Sequence, residues 1–466
     1  MNHDGMENAN NVRSTFAQCF AISGACFVQA GFGAEWISPT IIIGALINST
    51  KHVQQESMVI TSDQASWLGS LLYLSTPLGS MMSSVTLTRL GHKKCMILTN
   101  IPFIIALLMF YYSKNIETLY ACSVLMGLSM GYAGGPCTAY ITEVCEPKLR
   151  GALTSVQNVF FYFGSLFPST LYAYTKDWRL TMIITSIIPI ITIAILLMTP
   201  DSPIWLLTRD KSEKAHHMLS KLRGWVPNEK CVNEFHEMVV YTTVETSDKM
   251  KPTSIWKLLL QPNVLRPFRL LIFYFLFTNI LSGAQYTPYL VEVFTKFGVQ
   301  NVEWTITIYV ALSTTGGILT IFAVNRCGKR MMTLSTLLVG SVCYTAIGFI
   351  GTSNPTLEPA KSWTILVLFL VTIFVSSFGM SPLAWVILGE IFPIQTRNIT
   401  CSICSSLSYI ISFVLIKFYP DLEDLVGFYN GFLVFGTMGL FGCVYFYLYL
   451  PETENKTLQE IEECFK

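Results

Sequence analysis

The chain has 466 residues, of which 52% are hydrophobic and only 13% charged, with a mean hydropathy of +0.50 and a formal net charge of +1. Soluble domains carry about 25% charged residues, so a water-soluble globule is excluded. The near-neutral charge gives no electrostatic footprint for nucleic acid or for a large acidic partner.

Residues 1–14 are polar and mixed in charge and lack the basic start of a secretory signal. The apolar run behind them therefore reads as a first spanning helix that stays. A bilayer core requires about 20 apolar residues per helix, and such runs recur at 16–47, 65–87, 95–113, 118–139, 152–174, 180–199, 268–293, 304–325, 332–351, 363–389, 399–419 and 426–449. The first holds Gly31, Gly33 and Pro39 and is expected to be bent or broken. Asn48-Ser-Thr50 is a glycosylation acceptor in the first outer loop, while the sequons at Asn398 and Asn455 fall on the inner side and stay silent. The hydrophilic stretch Pro200–Asn263 splits twelve spans into six plus six. Its amphipathic pieces, Lys211–Leu222 and Phe235–Val244, are expected to form short helices beneath the bundle. The expected organisation is residues 1–199 and 264–450 as the two bundles, 200–263 as an inner linker, and 451–466 as an inner tail.

With both termini inside, 23 of the 30 Lys and Arg residues fall on the inner side, as the positive-inside rule requires. The thirteen cysteines lie mostly in or beside apolar runs, and Cys401-x-x-Cys404 has no second ligand pair at metal-site spacing. They read as small packing hydrophobes, and neither a metal nor a cofactor is expected. Phosphate loops and nucleophile–base motifs in proper context are also missing, so an enzyme is not expected.

The two halves repeat. Arg89-Leu-Gly91 after span two returns as Arg326-Cys-Gly328-Lys329-Arg330 after span eight, 237 residues on. Glu143 with Arg150 after span four returns as Glu390 with Arg397 after span ten, and Pro200-Asp201 after span six returns as Pro451-Glu452 after span twelve. Glycine permits a tight turn at each helix end, and arginines supply bidentate donors for carboxylates on neighbouring helices. Arg89, Glu143, Arg150, Arg326, Lys329, Arg330, Glu390 and Arg397 are therefore expected to form an inner charge network tying the halves together.

These motifs, with Tyr140-Ile-Thr-Glu143, Pro200-Asp-Ser-Pro203-Ile-Trp205-Leu, Gly379-Met-Ser-Pro382-Leu-Ala-Trp385 and Pro451-Glu-Thr453, resemble those of the sugar porters of the major facilitator superfamily over nearly the whole chain. Trp36-Ile-Ser-Pro39 looks most like the arthropod facilitators of trehalose and hexoses. The resemblance implies an all-α integral membrane protein, about twelve transmembrane helices in two six-helix bundles, with alternating access to a sugar site between them. It implies a plasma-membrane, multi-pass carrier whose partners are a small-molecule sugar and the lipid bilayer, with no obligate protein partner evident. The chain departs from the pattern at Thr88 and Asn325, where the family is acidic, and at Ile204, where it is basic.

A sugar site requires amides and an aromatic platform, and amides are costly in apolar spans. Span five offers Gln157 and Asn158; span seven offers Asn279, Ser282, Gln285, Tyr286 and Tyr289, with 279, 282, 286 and 289 at helical spacing. The resemblance aligns Asn158 with a binding glutamine, Tyr289 with an outer-closing aromatic and Trp385 with the tryptophan near the sugar. Ser408 and Ser412 stand where some relatives carry asparagines, leaving room for a disaccharide. Pro288, and Gly379 with Pro382, are expected to break or bend spans seven and ten. Glu35 carries two readings: a proton-coupling acid within the first span, or a carboxylate in water at the outer mouth. Facilitated diffusion leads; sugar–proton symport through Glu35 and a non-transporting sugar sensor are the alternatives.

Overall fold

A computed structural model describes residues 3–47, 58–226, 231–248, 261–353, 359–392, 396–454, 460 and 464–465. Asn48 lies outside them, as does the side chain of Asn398. Among the described residues the chain is helical throughout. The first half comprises α1 (His3–Ile47), α2 (Ser62–Leu90), α3 (His92–Tyr112), α4 (Ile116–Val144), α5 (Pro147–Thr175), and α6 (Trp178–Thr185) continued by α7 (Ile187–Met198). A linker follows with α8 (Pro203–Leu207), α9 (Ser212–Leu222) and α10 (Val232–Asp248). The second half comprises α11 (Pro262–Leu281), a 3₁₀ turn (Thr287–Tyr289), α12 (Leu290–Lys296), α13 (Val302–Cys327), α14 (Lys329–Thr352), α15 (Pro359–Phe378), α16 (Met380–Glu390), α17 (Arg397–Lys417), α18 (Tyr419–Val426) and α19 (Phe428–Tyr449).

Nine helical segments among the described residues are long and apolar enough to cross a membrane. The other three spans of the twelve are α2, α4 and α5, each 29 residues long and richer in Gly, Ser and Thr. Those small residues are there for packing. Without a hydrophobic force between helices in lipid, association relies on close backbone approach. A Cβ at Gly127 or Gly131 of α4 would sit on the Leu72 or Thr76 carbonyl of α2, and one at Gly164 of α5 on the Ala30 carbonyl of α1. The second half uses the same device, with Gly436 of α19 against Thr345 and Gly439 against Ser341 of α14.

α1 runs unbroken through Gly31, Gly33 and Pro39, contrary to expectation. Gly33 marks not a break but a close approach, because a Cβ there would strike the Phe161 carbonyl of α5. Span seven does break, with Gly283 at φ +69° between α11 and the 3₁₀ turn. Span ten divides at Gly379. The linker helices pack on the first half: Arg223 pairs with Glu234 of α10 (2.5 Å) and Glu146 (3.5 Å), and it donates to the Val144 carbonyl at the end of α4.

Candidate functional site

The two Arg-x-Gly turns define one face of the molecule. Contacts between the halves gather towards the opposite face. There Lys417 at the end of α17 meets Asp63 (2.6 Å) and Ser66 (2.8 Å) at the start of α2 and lies over the Trp67 ring. Thr40 of α1 donates to the Thr287 carbonyl (2.7 Å), Gly44 abuts Val291, and Gly69 abuts Pro288. Thr307 of α13 donates to the Ser169 carbonyl of α5, and Trp304 packs edge-on to Tyr174. That seam continues deeper, where Gly317 of α13 faces the Tyr162 ring and Tyr162 reaches Ser377 of α15. Beyond it the halves diverge. A Cβ at Gly134 of α4 or Gly389 of α16 would meet nothing within 4 Å, and Trp385 is 42% exposed. Together the seam and these open positions point to a central cleft, shut on one face and open on the Arg-x-Gly face.

At the head of this cleft the second half brings together most of its expected site residues. Asn279, in the last turn of α11, accepts a hydrogen bond from Ser412 (2.7 Å) and donates to the Phe275 carbonyl (2.8 Å). Ser412 also reaches the carbonyl of Ser408 one turn away. Trp385 stands between the rings of Phe275 (5.3 Å) and Tyr409 (6.0 Å). Gln285 is fully buried, donates to the Ile280 carbonyl, and leaves Oε1 without a partner among the described residues. Tyr289 is buried beneath the shut face, donating to the Ile416 carbonyl and packing on Tyr419. On the other side of the cleft, α5 holds Gln157 buried and Asn158 half-buried.

The expected common face of 279, 282, 286 and 289 does not exist, because the chain leaves the helix after Leu281. That break turns Tyr286 into the second bundle, where it stacks on Phe432 (4.7 Å) and meets Tyr419 and Phe435 edge-on. Tyr286 is therefore packing. Glu35 is also not at a watery mouth. It is fully buried in the first half, beside Ser129 of α4, and neither carboxyl oxygen has a hydrogen-bond partner among the described residues. Ser129 spends its own hydroxyl on the Thr99 carbonyl (3.0 Å).

At the Arg-x-Gly face the repeat reappears as geometry. Glu143 lies 3.4 Å from His92 and accepts from Ser202, while Glu390 lies 2.7 Å from Lys329, which also reaches Glu454 (3.1 Å). His92 and Lys329 are the residues that follow the two turn glycines. Among the described residues, the ion pairs on this face each stay within one half. Arg89 and Arg326 are exposed, Arg330 donates to the Tyr447 carbonyl, and the side chains of Arg150 and Arg397 lie outside the described set, with those of Thr88 and Asn325. Sequence reading placed three further contributors in motifs without giving them a role. Glu452 accepts from the Lys329 and Arg330 amides (3.1 and 3.0 Å), capping α14. Trp205 covers the Gly91 turn. Lys93 closes the end of α7 through the Leu197 and Thr199 carbonyls. The signal for His92 and Glu452 was present, since each occupies a position of the internal repeat.

A family model described as "Sugar (and other) transporter" matches residues 25–465. Curated relatives include a facilitated trehalose transporter of Polypedilum vanderplanki, 27% identical over 93% of this chain and 84% of the relative. Another, from Apis mellifera ligustica, is 25% identical over 94% of this chain and 86% of the relative. Among solved structures, a proton:xylose symporter bound to 6-bromo-6-deoxy-D-glucose superposes with TM-score 0.77 at 18% identity, covering 97% of this chain and all of that one. The inward-open xylose transporter of E. coli gives 0.76 at 18% identity, covering 96% and 99%. At such identity the structures establish the fold, a major facilitator arrangement.

Proposed function

The chain belongs to the sugar (and other) transporter family, and from that premise we propose that it carries a hexose or trehalose across the plasma membrane by facilitated diffusion. A carrier of this kind makes no covalent change to its cargo. The observation that supports the reading is the cleft itself: halves joined along one face, parted on the other, with Asn158, Asn279, Gln285, Ser412 and Trp385 near the point of divergence. A ring of hydroxyls matches the amides, and its apolar face matches the Trp385 indole. Short side chains at Ser408 and Ser412 suit a disaccharide, as do the relatives named for trehalose transport.

We take the Arg-x-Gly face as the cytoplasmic one on its charge, which makes this conformation the inward-open form of the proposed carrier. Transport requires the outer contacts of Lys417, Thr40 and Thr307 to part while the inner ends of α4 and α16 come together. The expected joining of the halves by Glu143, Arg150, Glu390 and Arg397 would serve to hold those inner ends together, though the Arg150 and Arg397 side chains lie outside the described residues. Glu35 faces α4 rather than the cleft, which favours uniport over symport.

Uptake of radiolabelled trehalose and glucose into oocytes, with surface expression measured, tests this. Saturable uptake of either sugar, unchanged by acidifying the medium and reduced by Trp385→Ala, is expected. Acid-stimulated uptake that Glu35→Gln abolishes would replace uniport by symport. No uptake of either sugar with the protein at the surface would remove the sugar-carrier reading.

A further inference from the structure

α1 runs in the same direction as α5, and three contacts fix its rotation. Gly33 lies on the Phe161 carbonyl, Trp36 packs on the Phe161 ring (5.8 Å), and Thr40 reaches across to Thr287 of the second half. In an α-helix, positions seven apart share a face. Gln29 is therefore flanked by the directions of Trp36 and Thr40, with Gly33 further round on the Thr40 side, and pointed towards the cleft rather than into the first bundle. Glu35 points the other way, to Ser129. Of the remaining accessible positions of α1 within the membrane, Phe20, Ser23 and Phe27 form a separate stripe on another side. Gln18, the other amide of the span, is spent on Ser14 and Glu146 near its inner end; the Gln29 amide is thus the one on the cleft side.

Its depth is also fixed. Phe27 packs on Phe160 of α5 (5.6 Å). Gln29 then lies about four residues, or roughly 6 Å, above the level of Asn158. Gln29 is half-buried, and its Oε1 is buried with no hydrogen-bond partner among the described residues. A buried amide oxygen left unpaired in an apolar span is costly, and the cost is removed when a ligand hydroxyl occupies the vacant direction. Which end of the amide carries oxygen is set by its partners, so it can accept from one sugar hydroxyl and donate to a second.

We propose that Gln29 is a sugar-binding residue, contributed by span one, which hydrogen-bonds a substrate hydroxyl beside the Trp36 ring. The proposal rests on the reading that the sugar lies in the central cleft. It adds to the first half a specificity contact that Asn158 does not supply.

The test is D-glucose uptake by purified protein in proteoliposomes, compared with a series of monodeoxyglucoses, for wild type, Gln29→Ala and the near-isosteric Gln29→Met. Both variants should raise the glucose KM about two- to twelvefold, the range for one hydrogen bond, with maximal rate per folded transporter retained. One deoxy sugar, the one lacking the partnered hydroxyl, should show the same KM in wild type and variants. If Gln29→Met leaves the glucose KM unchanged while Trp385→Ala and Asn279→Ala raise it, the site reading stands and this inference falls. An equal penalty for every deoxy sugar would also overturn it, reducing Gln29 to a packing amide. If none of the four substitutions alters KM, the sugar is not bound in this cleft, and both readings fail.

Discussion

Asn279 and Ser412 satisfy one another across 2.7 Å in the empty site, so an incoming hydroxyl exchanges one hydrogen bond for another. Removing the amide leaves the sugar hydroxyl without its partner, and one such bond is worth roughly 0.5–1.5 kcal/mol. Asn279→Ala should therefore raise KM about two- to twelvefold with maximal rate little changed; an unaltered KM would place the sugar elsewhere. Glu35 makes the opposite prediction. Because it faces Ser129 and not the cleft, Glu35→Gln should leave both the KM and the pH profile of uptake unaltered. At this scale the sequence was a partial guide. It identified which amides were present in the spans, because polar groups stand out against apolar neighbours. It could not orient them, because orientation depends on the rotation of each helix, and for Glu35 and Tyr286 that rotation turned inward to the bundle.

The helices themselves were legible from runs of apolar residues, and so was the division at Gly379; span seven, expected to break at Pro288, leaves the helix earlier, after Leu281. The unbroken course of α1 was not legible, because a glycine placed for close approach and one placed for a kink look alike in sequence. Only the Phe161 carbonyl next to Gly33 distinguishes them. The same contacts give an element-scale prediction. Gly164→Leu puts a branched side chain onto the Ala30 carbonyl and should abolish recovery of monodisperse protein in detergent, whereas Gly134→Leu, which faces open space, should not. Glu452 is the further case. It caps α14 through two backbone amides, and Glu452→Ala should cost about 1–2 kcal/mol, read as a lower melting temperature with sugar KM preserved.

For the whole molecule, the repeat announced two halves of six spans, but which face was shut belongs to side-chain contacts that no motif records. Lys417, Asp63 and Ser66 lie 354 and 351 residues apart in the chain. They join the halves across the shut face, so in the proposed carrier they stabilise the outer closure relative to the outward-open form. Exposed pairs of this kind contribute about 0.2–1 kcal/mol. Lys417→Ala should therefore raise the outward-open population by up to about fivefold. Labelling of a cysteine placed at Ser412 by a membrane-impermeant reagent from outside should quicken accordingly; unchanged labelling would mean the pair does not restrain the gate.

The central claim is that sugar crosses by alternating exposure of one site between the halves, and counterflow in proteoliposomes measures this most directly. Vesicles loaded with unlabelled sugar and diluted into a trace of radiolabelled trehalose or glucose should accumulate label transiently above equilibrium, with no ion gradient present, and Trp385→Ala should flatten the overshoot. Label that only equilibrates at the rate of empty vesicles, with folded protein incorporated, would contradict the account.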